Sequence, residues 1–218
     1  MIPVGVVTLD RVDLLTRTVN SIFRTAPGTA LAVVDNGSTD PLAHAYLTGL
    51  ARLGVRVRRN GGNLGTGRAK NQVADLLPPA TLLCLADNDA VFRPGWVAAA
   101  EGAFATFPEL GVLGLWQHPY HRTLAVERRQ GRTVVVRDLM PGVAWVLRRA
   151  LWTDLGGMVH SAVHSYGVED SDFALRVQAR GLWVAALEED AVDHVGHRRT
   201  DGAIAAGSTG TEWVRRAR

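Results

Sequence analysis

The stretch TLLCLADNDAVF, residues 81–92, runs a cysteine and several apolar residues straight into Asp87-Asn88-Asp89. Two carboxylates one residue apart offer hard oxygen donors. They suit a divalent cation that keeps several waters and also takes phosphate oxygens. Such a cation would tie the protein to a diphosphate and offset the charge building on it. Alone, Asp-x-Asp is common in surface turns, and Asp89 could simply cap a helix. A second acidic group, Glu169, Asp170 and Asp172, opens the segment SYGVEDSDFALRVQARG (165–181). Carboxylates in a first helical turn complement the helix dipole, and one held there could act as a general base. Arg176 lies close enough along that helix to pair back. The third group, DHVGH (193–197), places His194 and His197 after a short final strand, as structural imidazoles or as metal ligands beside the Asp pair.

A glycine-rich turn, NGGNLGTGRAKNQ (60–72), invites a dinucleotide-binding reading. It has neither a well-placed G-x-G-x-x-G nor the Walker pattern, and it follows the third strand, not the first. Its glycines read better as letting the backbone pass close to a nucleotide. Arg68 and Lys70 would then open a helix where phosphate is favoured.

The positioning elements follow from hydrophobic spacing. Residues 3–9 form a β-branched strand, and Leu14, Leu15, Val19, Ile22 and Phe23 have helical spacing across 11–25. A buried strand at 30–35 precedes a turn, and Asp40-Pro41 starts a helix as N-cap and N1. Residues 55–60, a helix at about 66–77 and a strand at 81–86 continue the alternation. This order predicts an α/β domain, Rossmann-like, with a mostly parallel sheet between two layers of helices. The later part is mixed: a helix at 94–107, a strand at 111–115, a hairpin turning at Gln130-Gly131, a strand at 142–149 and a helix at 169–180 stopped by Gly181. In parallel sheets, ligands bind beyond the carboxyl ends of the strands. Asp10, Asp35, Asn60 to Asn63, and Asp87 with Asp89 all fall at such ends, which predicts one polar cleft along one edge.

Composition narrows the classes. The 218 residues suit one domain, read as 1–199 in two halves, 1–90 and 91–199, plus a loosely held tail, 200–218. No apolar run reaches the roughly 18 residues of a membrane span, and the opening MIPVGVVTLDR reads as a strand rather than a leader. The single Cys84 permits no internal disulfide, so a reducing cytoplasm is expected. Lys70 is the only lysine among 24 basic residues. Apart from a clustered WVRRAR ending, the arginines are scattered without interleaved aromatics, which argues against a nucleic-acid partner.

The blocks VVTLDRVDLLTRTVNSI, VVDNGSTD, NLGTGRAKNQ, LADNDA and GVEDSDFALRVQARG, in that order, resemble the family 2 glycosyltransferases of GT-A fold, over residues 3 to about 197. GVAWVLRRALWTDLGG resembles the strand and helix that precede that family's acceptor loop. The resemblance implies a metal-dependent, inverting transfer of a hexosyl group from a nucleoside-diphosphate sugar to an acceptor hydroxyl. Asp35 would then meet the base or ribose, with Thr8 and Asp10 beside it and Asn63, Gly65 and Arg68 lining the nucleotide. Asp87 would face ribose or metal, Asp89 would hold Mn²⁺ or Mg²⁺, and His194 or His197 would complete the metal site. Asp170 matches the base of the family's Glu-Asp pair, with Glu169 as its partner. Uridine diphosphate is the favoured carrier, followed by guanosine and thymidine diphosphate. The acceptor, a sugar, a lipid-linked group or another hydroxyl, is unspecified, and a peripheral membrane contact is compatible. The usual Gly-Gly-Phe-Asp-Glu loop reads GGMVH (156–160), so acceptor recognition departs from the pattern. The alternatives are a non-catalytic module of the same fold and a sugar-nucleotide pyrophosphorylase. The latter resembles a chain with a basic glycine loop after the first strand, where this one has TLDRVD.

Overall fold

A computed structural model of the chain describes residues 1–118, 121–159 and 168–196. Strands β1 (Val4–Thr8), β2 (Leu31–Asp35) and β4 (Leu82–Asp87) bury nearly every side chain, as strands covered on both faces must. They alternate with α1 (Val12–Thr25), α2 (Pro41–Arg52), β3 (Arg56–Arg59) and α3 (Thr66–Leu76). Asp40 caps α2 as its sequence predicts, its carboxylate accepting from the Leu42 N–H with Pro41 in the first turn. After β4 come β5 (Ala90–Phe92), α4 (Trp96–Thr106), β6 (Leu110–Gly114), β7 (Thr123–Arg129), β8 (Arg132–Arg137), β9 (Ala144–Arg148) and α5 (Arg149–Asp154). The chain continues through α6 (Glu169–Gln178), β10 (Trp183–Leu187) and β11 (Val192–His194). Gln130 and Gly131, both at positive φ, make the two-residue turn between β7 and β8.

The main sheet has nine strands in the order β3-β2-β1-β4-β9-β6-β10-β8-β7, with β9 and β8 running against the others. Alternate residues serve opposite layers. Val4 and Val6 join a cluster with Leu15, Val19, Leu47 and Trp96, from α1, α2 and α4. Val7 joins Val73, Trp152 and Phe173, from α3, α5 and α6. Each fully buried Val or Leu contributes about 1.5–3 kcal/mol, so this two-sided packing, rather than the exposed ion pairs, holds the sheet. Gly5 lets α3 lie against β1: a Cβ there would stand 2.9 Å from Val73 Cγ1. Among the described residues no helix is long and apolar enough to cross a membrane.

Cys84 sits fully buried in β4, and burial holds its thiol far above its ordinary range. Thiol reagents should therefore leave the native protein unlabelled and modify one cysteine only after denaturation. Labelling of the folded chain at the denatured rate would contradict the burial.

Candidate active site

The register of β1 to β4 lines up the polar strand ends. Thr8 pairs with Asp35, Asp35 with Arg59, and Val7 with Asp87. Asp10 and Arg11 leave β1 with φ of 50° and 52°, a left-handed step that is unusual for two consecutive residues with side chains. The step points the Asp10 carboxylate back into the following turn, where Oδ1 accepts from the N–H groups of Thr39 (2.8 Å) and Asp40 (2.9 Å). Thr8 is 1% exposed, and its hydroxyl donates to the Asp10 carbonyl and accepts from Asn88 Nδ2 at 2.9 Å. Both polar groups are thus engaged by the protein itself and shape the loop. Asp35, 1% exposed, accepts from the Ser38 N–H at 2.9 Å.

Next to it, Asn36, Asn60, Asn63 and Gln72 form a side-chain network that fixes the glycine-rich turn. Asn63 Oδ1 also accepts from Gly65 N, whose φ of 84° turns the chain into α3. Gly37 has φ 97° and a Cβ there would meet Gly62 C at 2.5 Å, so only glycine lets the two turns touch. Arg68 is exposed on the first turn of α3. Lys70, expected to face phosphate beside it, instead points inward.

Asp89 does not cap a helix, since the short strand β5 follows it. β5 pairs antiparallel with β11, setting His194 opposite Ala90, while Val195 N–H donates to the Asp89 carbonyl. That ladder brings His194 Nε2 to 3.3 Å from Asp89 Oδ1, with Trp116 edge-on to the imidazole at 4.7 Å. Arg11 Nη1 lies 3.4 Å from Asp89 Oδ2. Asn88 turns away, bonding Thr8 with its side chain and accepting from the Thr18 hydroxyl with its carbonyl. His197 lies outside the described residues, as does the tail.

The two acidic clusters meet through a residue that the sequence reading placed elsewhere. Lys70 Nζ is 3.2 Å from Asp87 Oδ1, 3.6 Å from Asp170 Oδ1 and 2.7 Å from the Gly142 carbonyl. Burial alone would disfavour its charge, but Asp170, Asp87 and Glu169 outweigh that and hold the ammonium above its ordinary range. The Asp87 carboxyl is pushed up to about 7, by burial first and also by Asp89 and Asp170, with Lys70 acting in the opposite sense. Asp170 Oδ2 accepts from Gly142 N–H at 2.7 Å. Glu169 is 6% exposed and accepts from the Val168 N–H, whereas Asp172 faces outward and pairs with Arg176. Arg176 also donates to the carbonyls of Leu155 and Gly157, anchoring the start of the GGMVH loop.

Arg11, Trp116 and Gly142 were not singled out by the sequence reading. For Lys70 a signal existed: a lone lysine at an apolar-face position between Ala69 and Val73 of an arginine-rich chain.

The sheet of this order, covered by helices on both faces, is a mixed α/β fold of the GT-A class. Residues 4–153 match the model "Glycosyl transferase family 2", so the chain belongs to that family. The matched span ends before Asp170 and before both late histidines. No curated protein matches the chain significantly. Among solved structures, the chain is similar to the mannosyltransferase PcManGT of Pyrobaculum calidifontis in complex with GDP-Man and Mn²⁺. The TM-score is 0.67 at 17% identity, covering 99% of this chain and 60% of that one. It is similar to GalNAc-T7 with UDP, GalNAc and Mn²⁺ (TM-score 0.71, 16% identity, 85% and 42% covered). It is also similar to S. aureus TarS in complex with UDP-GlcNAc (0.65, 18%, 88% and 57%). These likenesses establish the fold, and the chain spans between 42% and 60% of those structures' lengths.

Proposed function

We propose that this chain carries the donor and base sites of an inverting glycosyltransferase that moves a sugar from a nucleoside-diphosphate sugar to an acceptor hydroxyl. The observation that carries the reading is the convergence of Asp87 at the end of β4, Asp89 in the turn that follows it, His194 from β11 and Asp170 from α6. In this reading residues 1–90 serve the donor and 91–199 the acceptor. A location in the cytoplasm is part of the same proposal.

The donor set fits a small divalent ion. Asp89 Oδ1 and His194 Nε2 stand 3.3 Å apart, near the roughly 3 Å between neighbouring ligands of an octahedral ion with bonds of about 2.1 Å. Among the described residues no group of three acidic, histidine or cysteine side chains is assembled as a metal cage. Such a site leaves positions for phosphate oxygens and water, as a Mg²⁺-like ion prefers. Asp89 and His194 would hold Mn²⁺ or Mg²⁺, with Asp87 beside them facing ribose or ion. The bound ion would offset the negative charge that a departing nucleoside diphosphate gains.

The chain's own residues supply the rest. Asp35 receives the base or ribose, over the loop that Thr8 and Asp10 shape and Asn63 and Gly65 border. Arg68 is placed to add charge at the nucleotide. As the bond from the sugar to the diphosphate breaks, the acceptor oxygen attacks the opposite face of the anomeric carbon, and Asp170 takes its proton. Glu169, buried behind Asp170, orients the start of α6. Uridine diphosphate is the carrier to test first, with guanosine and thymidine diphosphate next to it.

A thermal-shift panel of these diphosphates, with and without Mn²⁺, tests the donor reading, because a ligand that binds only the native state raises its stability. No shift with any diphosphate in Mn²⁺ would remove it. A donor-hydrolysis assay without acceptor separates an enzyme from a binding module, which would bind and release the sugar nucleotide intact.

Asp35→Ala should raise the apparent KM for donor about tenfold or more while kcat at saturation changes little, since uniform binding is lost. Freeing the Ser38 N–H should also cost about 1–3 kcal/mol of stability. A large fall in kcat at saturating donor would move Asp35 out of the nucleotide role.

A further inference from the structure

Asp170, the proposed base, closes a ring with Lys70 and Gly142, neither of which has a part in the proposed chemistry. Lys70 Nζ donates to the Gly142 carbonyl at 2.7 Å, Gly142 N–H donates to Asp170 Oδ2 at 2.7 Å, and Asp170 Oδ1 returns to Lys70 Nζ at 3.6 Å. The same ammonium reaches Asp87 at 3.2 Å. Three separate elements thus meet on one buried cation: α3, the end of β4 and the start of α6. The ring admits only glycine at 142, because a Cβ there would stand 2.3 Å from Asp170 Oδ1 and 2.5 Å from Lys70 Nζ.

We propose that Lys70 and Gly142 are positioning residues: together they brace the Asp170 carboxylate against the end of β4, fixing the proposed base relative to the donor before any substrate arrives. The inference rests on the reading of Asp170 as the base and adds two residues that act through it. The physical case is one of rigidity. Asp170 stands in the first turn of α6, and a carboxylate there has free rotamers unless it is anchored. A backbone N–H fixes Oδ2, and an ammonium whose side chain is 2% exposed attracts Oδ1 across 3.6 Å without a hydrogen bond. Lys70 is itself aimed by the Gly142 carbonyl, so the geometry persists without ligand. A reacting group displaced by about 1 Å can lose on the order of a hundredfold in rate.

Lys70→Met keeps length and apolar bulk while removing the charge, and Gly142→Ala wedges the ring apart. Well below their melting temperatures, both should lower kcat about a hundredfold and leave donor KM within about threefold of the parent. Lys70→Arg, whose guanidinium can still span two carboxylates, should return to within about tenfold of the parent kcat. A rise in donor KM with kcat retained in Lys70→Met would make Lys70 a ligand-binding group and overturn the proposal. So would unchanged kcat in Gly142→Ala. If Lys70→Met does not fold, Gly142→Ala and Lys70→Arg carry the same test.

A double-mutant cycle on unfolding, pairing Lys70→Met or Gly142→Ala with Asp170→Asn in donor-free protein, reads the brace without activity. Non-additivity is expected, and strict additivity would show that no brace exists. Full sugar transfer by Asp170→Asn would instead remove the base assignment, and the cycle distinguishes that failure from failure of the brace.

Discussion

Asp89→Ala is expected to abolish Mn²⁺-dependent donor binding while the protein stays folded. Asp89 is the residue on which the β5–β11 ladder, His194 and Arg11 converge. Its ion pair with a half-exposed arginine is worth about 1 kcal/mol or less, so the fold tolerates its loss. A donor present at about 100 times its Kd stabilises the native state by about 2.7 kcal/mol; in Asp89→Ala that Mn²⁺-dependent gain should vanish. The neighbouring Asn88 supplies the contrast. Its side chain serves Thr8, so Asn88→Ala should cost about 1–2 kcal/mol of stability and leave the Mn²⁺-dependent shift in place. Equal loss of the shift in both variants, or turnover that survives chelation of every divalent ion, would show the acidic pair to be structural.

Asp170→Asn should cut sugar transfer about a hundredfold or more with metal and nucleotide binding intact, as expected when a general base is lost. Asparagine keeps the shape and can still accept from the Gly142 N–H, so the turn at Gly142 should hold. The competitor is Glu169, about 100° away on the helix, whereas Asp172 lies about 200° round from Asp170. The structure separates the three. Asp170 is 24% exposed on its side chain, Glu169 is 6% exposed overall, and Asp172 is turned to Arg176. Glu169→Gln should therefore reduce transfer less than Asp170→Asn. Normal transfer by Asp170→Asn alongside a dead Glu169→Gln would reverse the two roles, and full activity in both would leave the cluster as a helix start.

Local chemistry made most of the scaffold readable without coordinates. Alternating β-branched runs and helical leucine spacing set β1 to β4 and α1 to α3, because each element must bury its apolar side whatever lies elsewhere. Asp40-Pro41 and Gln130-Gly131 are self-contained signals, since a cap and a two-residue turn need only their own backbone geometry. The acidic positions were legible for a related reason: polar residues directly after buried runs can only lie at strand ends.

Partnership was not legible, because it depends on which distant elements share an edge. Asp-Asn-Asp specifies three polar side chains in a row. Only β5 pairing with β11 turns Asp89 toward His194 and leaves Asn88 against Thr8. Asp10 and Asp35 look alike in sequence, yet two successive left-handed residues turn Asp10 back so that one oxygen takes two N–H groups of the turn after β2, where Asp35 takes one. Lys70 shows the division most sharply. In sequence it opens a helix beside a glycine turn, where a phosphate contact is the natural reading. In the fold its position on α3 faces the sheet, and an ammonium in that buried place requires anionic and carbonyl partners to remain charged. Asp87, Asp170 and the Gly142 carbonyl are those partners. They come from positions 17 to 100 residues further along the chain, so no local pattern could have named them.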